Sequence, residues 1–251
     1  MPSTSIRHLR VFARQPYYLG ATLSQPIIWL LLFGQLFKGV TRLPGFEQDS
    51  YIAYLTPGIV VMTAVFINGW SGTNYIVDME RGVLNRFLVT PASRGALLAG
   101  ELGYMASTTV LQSGIILGLG FALGARFHGG PAIVLVFVLA SVLLGLAFSA
   151  LSNAMALLVR NQQSLIAANT LLVLPLSFMS TAFLPAGLLP EWMRVVAHGN
   201  PFNWAVEVGS QALVPDVDWT LALTRLAWLA LLAAGAAWAS IRAFAIYQRS
   251  A

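Results

Sequence analysis

Long apolar runs with almost no charge constrain the fold of this chain more than any other feature. They lie at about 18–38, 52–76, 98–124, 132–158, 165–184 and 219–244. Each is long enough to supply the roughly 20 apolar residues that an α-helix needs to cross a bilayer. Inside lipid, only helices and closed barrels satisfy every backbone N–H and C=O group. We therefore expect an all-α integral membrane protein in which residues 1–251 form one transmembrane domain with six spans.

The composition excludes several classes of function. Only 9% of the residues are charged, whereas a soluble domain carries about 25%. The basic residues flank the apolar runs instead of forming one face, so the pattern indicates contact with membrane lipid and not with nucleic acid. The chain has no cysteine, and the sequence predicts no metal site. Its only lysine, Lys38, is followed by Gly39, whereas a P-loop needs Gly-Lys followed by Ser or Thr, so we expect neither catalytic residues nor ATP and Mg²⁺ binding in this chain.

The distribution of Lys and Arg predicts the orientation. Of the 14 basic residues, nine lie in one set of flanks and five in the other, and the richer side is normally cytoplasmic. Both termini and the short Arg160–Gln163 turn are then cytoplasmic. Residues 1–16 alternate apolar and basic residues at helical spacing, which predicts an interfacial amphipathic helix; a signal peptide is the less favoured alternative. The nine residues are Arg7, Arg10, Arg14, Arg81, Arg86, Arg94, Arg160, Arg242 and Arg249, and the five are Lys38, Arg42, Arg126, Arg194 and Arg225.

A charged stretch separates the second and third runs and predicts a short amphipathic helix at 78–91. Its apolar positions, at i, i+1, i+4 and i+5, form one stripe. Asp78 and Glu80 lie in the first turn, where the helix dipole favours negative charge. Pro91 ends the helix, because the residue before a proline is displaced from the α region. The helix could dock in a partner or simply rest on the membrane; the stripe residues are Val83, Leu84, Phe87 and Leu88.

The segment 185–215 is apolar but interrupted by prolines, so none of its pieces can cross the bilayer. Irregular backbone at membrane depth is tolerated only when it packs on protein or lines a cavity. We therefore expect two short helices that enter the outer leaflet and return. Trp192 and Trp204 suit the interface, where amphipathic rings accumulate.

Both stretches resemble the ABC-2 type transporter permeases, the membrane subunits of a class of ATP-driven exporters, and most closely the branch that exports drugs and lipids, including daunorubicin-resistance permeases. In that family the first stretch is the coupling helix, which docks in a separate ATPase. The sequence departs from the family pattern at Val83, Asn85, Glu101 and Gln211. The first stretch matches at Glu80, Gly82, Leu84, Arg86, Leu88, Thr90, Pro91, Ser93 and Arg94, and the second at Phe183, Pro185, Leu189, Pro190, Trp192, Asn200 and Pro201.

The resemblance implies a permease subunit that exports an amphipathic or lipid-like substrate, such as a drug, lipid or glycolipid, across a bacterial plasma membrane. It implies two copies of an ABC ATPase, which bind ATP and Mg²⁺, and a second permease copy, identical or similar. The Arg160–Gln163 turn is either a smaller ATPase contact or a plain turn. A stand-alone transporter or channel is the alternative, although no acidic residue lies in the middle of a run. ATPase coupling is expected at Glu80, Gly82, Leu84, Arg86, Phe87, Leu88, Thr90 and Pro91.

Polar residues inside the second and fifth runs are candidates for the translocation path. Polar groups at this depth face protein or a water-filled cavity, so they could equally form hydrogen bonds between helices. The third run contains overlapping GxxxG patterns at Gly114, Gly118, Gly120 and Gly124, which predict close helix packing. The path candidates are Asn68, Ser71, Thr73, Asn74, Asn169, Thr170 and Ser177.

Overall fold

The computed structural model describes residues 16–42, 46, 50–80 and 94–250. Over those residues the chain is helical and contains no strand. The predicted interfacial helix at 1–16 lies outside the described residues except for its last residue, and positions 81–93 of the coupling stretch lie outside them altogether. The α-helices are α1 (Pro16–Leu36), α2 (Tyr51–Gly69), α3 (Ser71–Glu80), α4 (Arg94–Ala122), α5 (Gly130–Val159), α6 (Gln162–Phe178), α7 (Glu191–Gly199), α8 (Pro201–Ser210) and α9 (Trp219–Ser250), and short 3-10 helices cover Lys38–Arg42 and Ala186–Leu188.

Four helical segments of the described chain are long and apolar enough to cross a membrane. They are Tyr51–Asn74, Leu102–Ala122, Gly130–Val159 and Trp219–Phe244. They correspond to the second, third, fourth and sixth predicted runs. Over its described residues the protein is thus all-helical, with several helices suited to crossing a membrane.

The other two predicted spans differ from the structure in detail. Helix α1 has 21 residues, about 31 Å at 1.5 Å per residue, and its described apolar part is Ser24–Leu36. Helix α6 has 17 residues, about 26 Å, and ends at Phe178 instead of continuing to 184. The chain then turns, and backbone carbonyls at the end of α6 accept hydrogen bonds from the side chain of Asn200, the residue before α8.

Local sequence features define both ends of α5 and the start of α6. Pro131 lies in the first turn of α5, where the missing proline N–H costs nothing. Arg160 closes α5 in the left-handed region, with φ 54°. The Asn161 side chain then accepts a hydrogen bond from the Ser164 N–H at 2.9 Å and caps α6.

Helix α2 lies at the centre of the bundle and α9 at its periphery. Most of α2 is buried, and its side chains pack in one core with α5, α8 and α9. Phe137 and Leu144 of α5 and Phe202 of α8 are fully buried in this core. Because lipid tails are as apolar as these side chains, the core is stabilised by close packing more than by exclusion from water.

The bundle has two ends, which we name by the segments that lie there. At the hairpin end, α8, within the predicted segment 185–215, packs against α2 and α6, and α7 packs against α8. The Tyr51 hydroxyl, at the start of α2, donates to Phe183 O at 3.0 Å. At the opposite, coupling end, Ile76 of α3 packs against Ala156 of α5 and Leu165 of α6. Helix α3 therefore packs against the end of α5 and the start of α6, on either side of the α5–α6 turn.

The predicted close packing at the glycines of α4 holds at one position. A methyl group on Gly120 would lie 2.7 Å from Thr56 Oγ1 of α2, so a glycine is needed there. Gly114 and Gly118 would meet nothing within 4 Å, because they lie on the face of α4 that points away from the described protein. Gly124 lies beyond the helix with φ 99°.

Candidate functional site

A break between α2 and α3 organises the polar residues of the second run. Helix α2 ends at Gly69, Trp70 interrupts it, and α3 begins at Ser71. The Thr73 N–H donates to Trp70 O at 3.1 Å, one residue short of the α-helical register, in which it would donate to Gly69 O. The Gly69 carbonyl is thereby released inside the bundle and needs another donor.

Two side chains from other helices satisfy this carbonyl. The Ser152 hydroxyl of α5 donates to Gly69 O at 2.5 Å. The Asn169 amide of α6 donates to the same oxygen and to Ser152 Oγ, the latter at 3.1 Å. Three helices therefore meet at one released carbonyl.

Gly72 brings α3 and α5 into direct contact at the same place. Its N–H donates to Ser152 Oγ at 3.2 Å. A methyl group at this position would lie 2.4 Å from the backbone oxygen of Ser152. The chain can approach this closely only because residue 72 has no side chain.

Further hydrogen bonds extend the network along α5 and to α4. Ser71 Oγ lies 2.8 Å from Ser149 Oγ and donates to Asn153 Oδ1 at 3.0 Å. The Asn68 amide donates to Thr109 Oγ1 of α4 at 2.9 Å. All five side chains are buried. These bonds, together with those at Gly69, connect five helices, α2 to α6.

The seven path candidates thus fall into two groups. Asn68, Ser71, Asn169 and Ser177 are buried; the first three bond to other helices, and Ser177 bonds to Val173 O and Leu174 O of its own helix. Thr73 is half-buried, and Asn74 and Thr170 are exposed. The Thr170 hydroxyl donates to Ile166 O of its own helix at 2.8 Å. The structure brings Asn68, Ser71 and Asn169 to one network and leaves the others apart.

The coupling stretch can be located only by its neighbours. Glu80 is the last residue of α3, but its side chain and the predicted residues Gly82, Leu84, Arg86, Phe87, Leu88, Thr90 and Pro91 lie outside the described part of the chain. Residues 158–164, in and beside the α5–α6 turn, are all exposed.

The hairpin end contains a second polar cluster that the sequence analysis missed. Glu207 of α8 accepts hydrogen bonds through both carboxylate oxygens, from Arg225 Nε of α9 at 2.6 Å and from the Asn203 amide at 2.8 Å. Asn203 Oδ1 accepts from the N–H and hydroxyl of Thr181, at 2.8 and 2.7 Å. Arg225 is therefore an ion-pair partner within the protein. The sequence signal was Glu207 itself, the one acidic residue between Glu191 and Asp216.

Aromatic rings enclose this ion pair. The Arg225 guanidinium lies over the Trp228 ring, 4.9 Å from its centroid. Trp204 packs edge-on against Trp228 at 5.1 Å, and its ring N–H donates to His198 O at 2.8 Å. Trp204 is thus held within the cluster by both its ring and its N–H.

The remaining predicted hairpin residues set the ends of the two short helices. Pro190 precedes α7, and Pro201 is the first residue of α8. The Asn200 side chain accepts from the Phe202 N–H at 2.9 Å and caps α8. Pro185 precedes the 3-10 helix, and Trp192 of α7 is 58% exposed.

Comparison with known proteins identifies the class to which this membrane bundle belongs. The family model for the ABC-2 type transporter matches residues 4–214. The chain therefore belongs to the ABC-2 type transporter family and is a transmembrane permease of an ABC transporter. Membership implies an ABC ATPase partner, and permeases of this family are membrane subunits that are typically not catalytic themselves.

Several named relatives cover most of the chain. It is 33% identical over 196 residues to the putative transport permease ycf38 of Cyanophora paradoxa, which covers 77% of this chain and 67% of that protein. It is 27% identical to the daunorubicin resistance ABC transporter permease protein DrrB1 of Streptomyces coeruleorubidus, with 82% of this chain and 72% of that protein covered. It is 26% identical to the probable doxorubicin resistance ABC transporter permease protein DrrC of Mycobacterium tuberculosis, over 80% and 71%. These similarities confirm the resemblance to drug-resistance permeases.

Proposed function

We propose that this permease exports an amphipathic or lipid-like molecule, a drug, lipid or glycolipid, from the inner leaflet outward across a bacterial plasma membrane. The observation that carries the proposal is the similarity, over about four fifths of the chain, to permeases named for daunorubicin and doxorubicin resistance. Within the described residues, the apolar core and the hydrogen bonds between helices at the α2–α3 break are also unlike an ion-conducting channel, which needs rings of charged or carbonyl groups along a pore.

The proposed assembly has two permease copies, identical or similar, and two copies of the ATPase, which bind ATP and Mg²⁺. Each permease would have six spans and cytoplasmic termini, with α1 and α6 as the first and fifth spans. The coupling stretch 78–91 would dock in the ATPase, and the α5–α6 turn, which the packing of Ile76 brings to the same end, would lie beside it. The exposed Asn74 and Thr170 remain the path candidates that a substrate could reach, together with Thr73.

Inside-out vesicles test the direction and class of substrate. Vesicles containing the permease and its ATPase should accumulate daunorubicin when supplied with ATP and Mg²⁺, and should not when ATP is replaced by a non-hydrolysable analogue. Vesicles containing the ATPase without the permease are the control. Uptake that is independent of ATP, or equal in the control, would refute the proposal and favour a stand-alone transporter.

Native mass spectrometry tests the assembly. The expected complex contains two permease chains and two ATPase chains. A transport-competent complex with a single permease chain would contradict it.

A further inference from the structure

A glutamine at the centre of α4 is buried with both atoms of its amide group unpaired. Gln112 is the middle residue of the 21-residue candidate span Leu102–Ala122, so it lies about 15 Å from either end at 1.5 Å per residue. It is only 2% exposed. Among the described residues, neither its Nε2 nor its Oε1 has a hydrogen-bond partner. Because buried polar atoms in native proteins are nearly always paired, this amide needs a partner that the described side chains and backbone do not supply.

Gln112 lies on the face of α4 that contacts α2. One turn earlier, Thr109 accepts a hydrogen bond from the Asn68 amide of α2 at 2.9 Å. Two turns later, Gly120 lies against Thr56 of α2, where an added methyl group would be 2.7 Å from Thr56 Oγ1. Residues three or four apart along a helix share a face. Gln112 therefore faces α2 between these two contacts.

Asn68 contributes a third unpaired atom to the same interface. Its amide nitrogen donates to Ala64 O at 2.7 Å and to Thr109 Oγ1. Its Oδ1 is buried and accepts no hydrogen bond from the described part of the chain. Gly145 of α5 lies against this amide, because an added methyl group there would be 2.7 Å from Asn68 Nδ2. The unpaired oxygen is therefore enclosed by α2, α4 and α5.

The unpaired atoms are complementary to a water molecule. The Gln112 amide offers N–H donors and a carbonyl acceptor, and Asn68 offers a second acceptor. A water molecule both donates and accepts, and a buried one typically makes about three hydrogen bonds to such groups. Helical residues three apart have Cβ atoms about 5–6 Å apart, which is also the length of two hydrogen bonds of about 2.9 Å in series. The neutral amides provide no countercharge for an ion.

We propose that Gln112 and Asn68 form a water-binding site in the middle of the bundle, where one buried water molecule bridges the Gln112 amide of α4 to Asn68 Oδ1 of α2. The water links the two helices between the Thr109 and Gly120 contacts, where no direct polar bond joins Gln112 to α2. The site belongs to the permease itself and requires neither the ATPase nor a substrate.

Water-edited solid-state NMR on purified permease in lipid bilayers tests the site, with water itself as the probe. The experiment measures how fast magnetisation passes from water protons to the isotope-labelled side-chain nitrogens of Gln and Asn. Leu111–Gln112 is the only Leu-Gln pair in the sequence, so labelling these two residue types assigns the Gln112 signal. Asn200 is the matched control, because it is 3% exposed and its amide donates to two backbone carbonyls, Leu176 O and Met179 O.

The Gln112 Nε2 signal should build up several-fold faster than the Asn200 Nδ2 signal, although Gln112 lies at the centre of its span. In Gln112→Met and Gln112→Leu, which remove the amide, the Asn68 Nδ2 signal should slow to the Asn200 rate because the bridging water is lost. Gln163→Met is the control variant, since Gln163 is exposed in the α5–α6 turn, and it should leave the Asn68 signal unchanged.

Two results would overturn the water site. A Gln112 signal that builds up as slowly as that of Asn200 would show that the amide is paired within the protein; this comparison uses the unaltered chain and does not depend on the folding of any variant. An Asn68 signal that stays fast in both Gln112 variants would show that no water molecule is shared between the two side chains. Neither measurement involves transport, so each result holds whether or not the proposed export function is correct.

Discussion

Replacing Gly72 by alanine tests whether the contact between α3 and α5 is as close as the structure shows. The added methyl carbon would lie 2.4 Å from the Ser152 carbonyl oxygen and 2.7 Å from the carbonyl carbon. Both are backbone atoms, so no rotation of a side chain can relieve the overlap. Helix α3 would have to move away from α5 and lengthen the 3.2 Å hydrogen bond from Gly72 N to Ser152 Oγ.

The expected loss of stability follows from two opposing effects. Overpacking of this kind costs about 1–3 kcal/mol. Alanine in a helix gains about 0.5–1 kcal/mol over glycine, which offsets part of that cost. A net loss of up to about 2.5 kcal/mol remains, and at about 2–4 °C per kcal/mol for a chain of this size the Tm should fall by up to roughly 10 °C.

The measurement is the Tm of purified permease in detergent, with Gly114→Ala as the matched control. Gly114 also lies within a helix, but a methyl group there would meet nothing within 4 Å. The control should therefore keep or slightly raise the Tm, so that the two substitutions differ in sign. A Gly72→Ala protein as stable as Gly114→Ala would refute the close packing of α3 on α5.

Three further predictions concern the network, the coupling stretch and the topology. Ser152→Ala should lower the free energy of unfolding by about 1–3 kcal/mol, because it removes a donor to Gly69 O and an acceptor for Gly72 N. Ser141→Ala is the control and should cost less, because the Ser141 hydroxyl bonds only within its own helix. Equal losses of Tm in the two variants would contradict this prediction. Phe87→Ala should weaken ATPase co-purification about thirtyfold if Phe87 is an anchor worth about 2 kcal/mol. Arg86→Glu should also weaken co-purification, more so at low salt, while the membrane levels of both variants stay normal. Full ATPase retention by both variants would exclude this stretch as the coupling element. Tags at Gly129 and Asp216 should react with an impermeant label in intact cells, whereas tags at Met1, Ser93 and Ala251 should react only after permeabilisation. Labelling at Ser93 in intact cells would reverse the predicted orientation.

The sequence predicted the transmembrane helices best where a single local pattern decides them. Helix α5 covers Gly130–Val159, close to the predicted 132–158, because an unbroken apolar run specifies it. The end of α6 at Phe178 could not be predicted in this way. It depends on Asn200, whose amide binds the last carbonyls of α6 from more than 20 residues further along the chain.

The polar residues show the same division. Their hydrophobic surroundings identified Asn68, Ser71 and Asn169 as constrained, but not their partners. Ser152, which bonds to three of the other helices, looks like an ordinary small residue in an apolar run. Partners depend on how each helix is rotated about its axis, and that rotation is set by packing among all the helices at once.

The central position of α2 and the peripheral position of α9 give these two helices different sensitivities to the bilayer. In the most apolar part of Tyr51–Asn74, 78% is buried within the protein, against 22% for Trp219–Phe244. Changes in lipid thickness or composition therefore act on α9 directly but reach α2 only through its protein neighbours. Substitution among apolar residues should likewise be freer along α9, where the surroundings adapt to side-chain shape, than along α2, where each change of volume displaces a fixed neighbour.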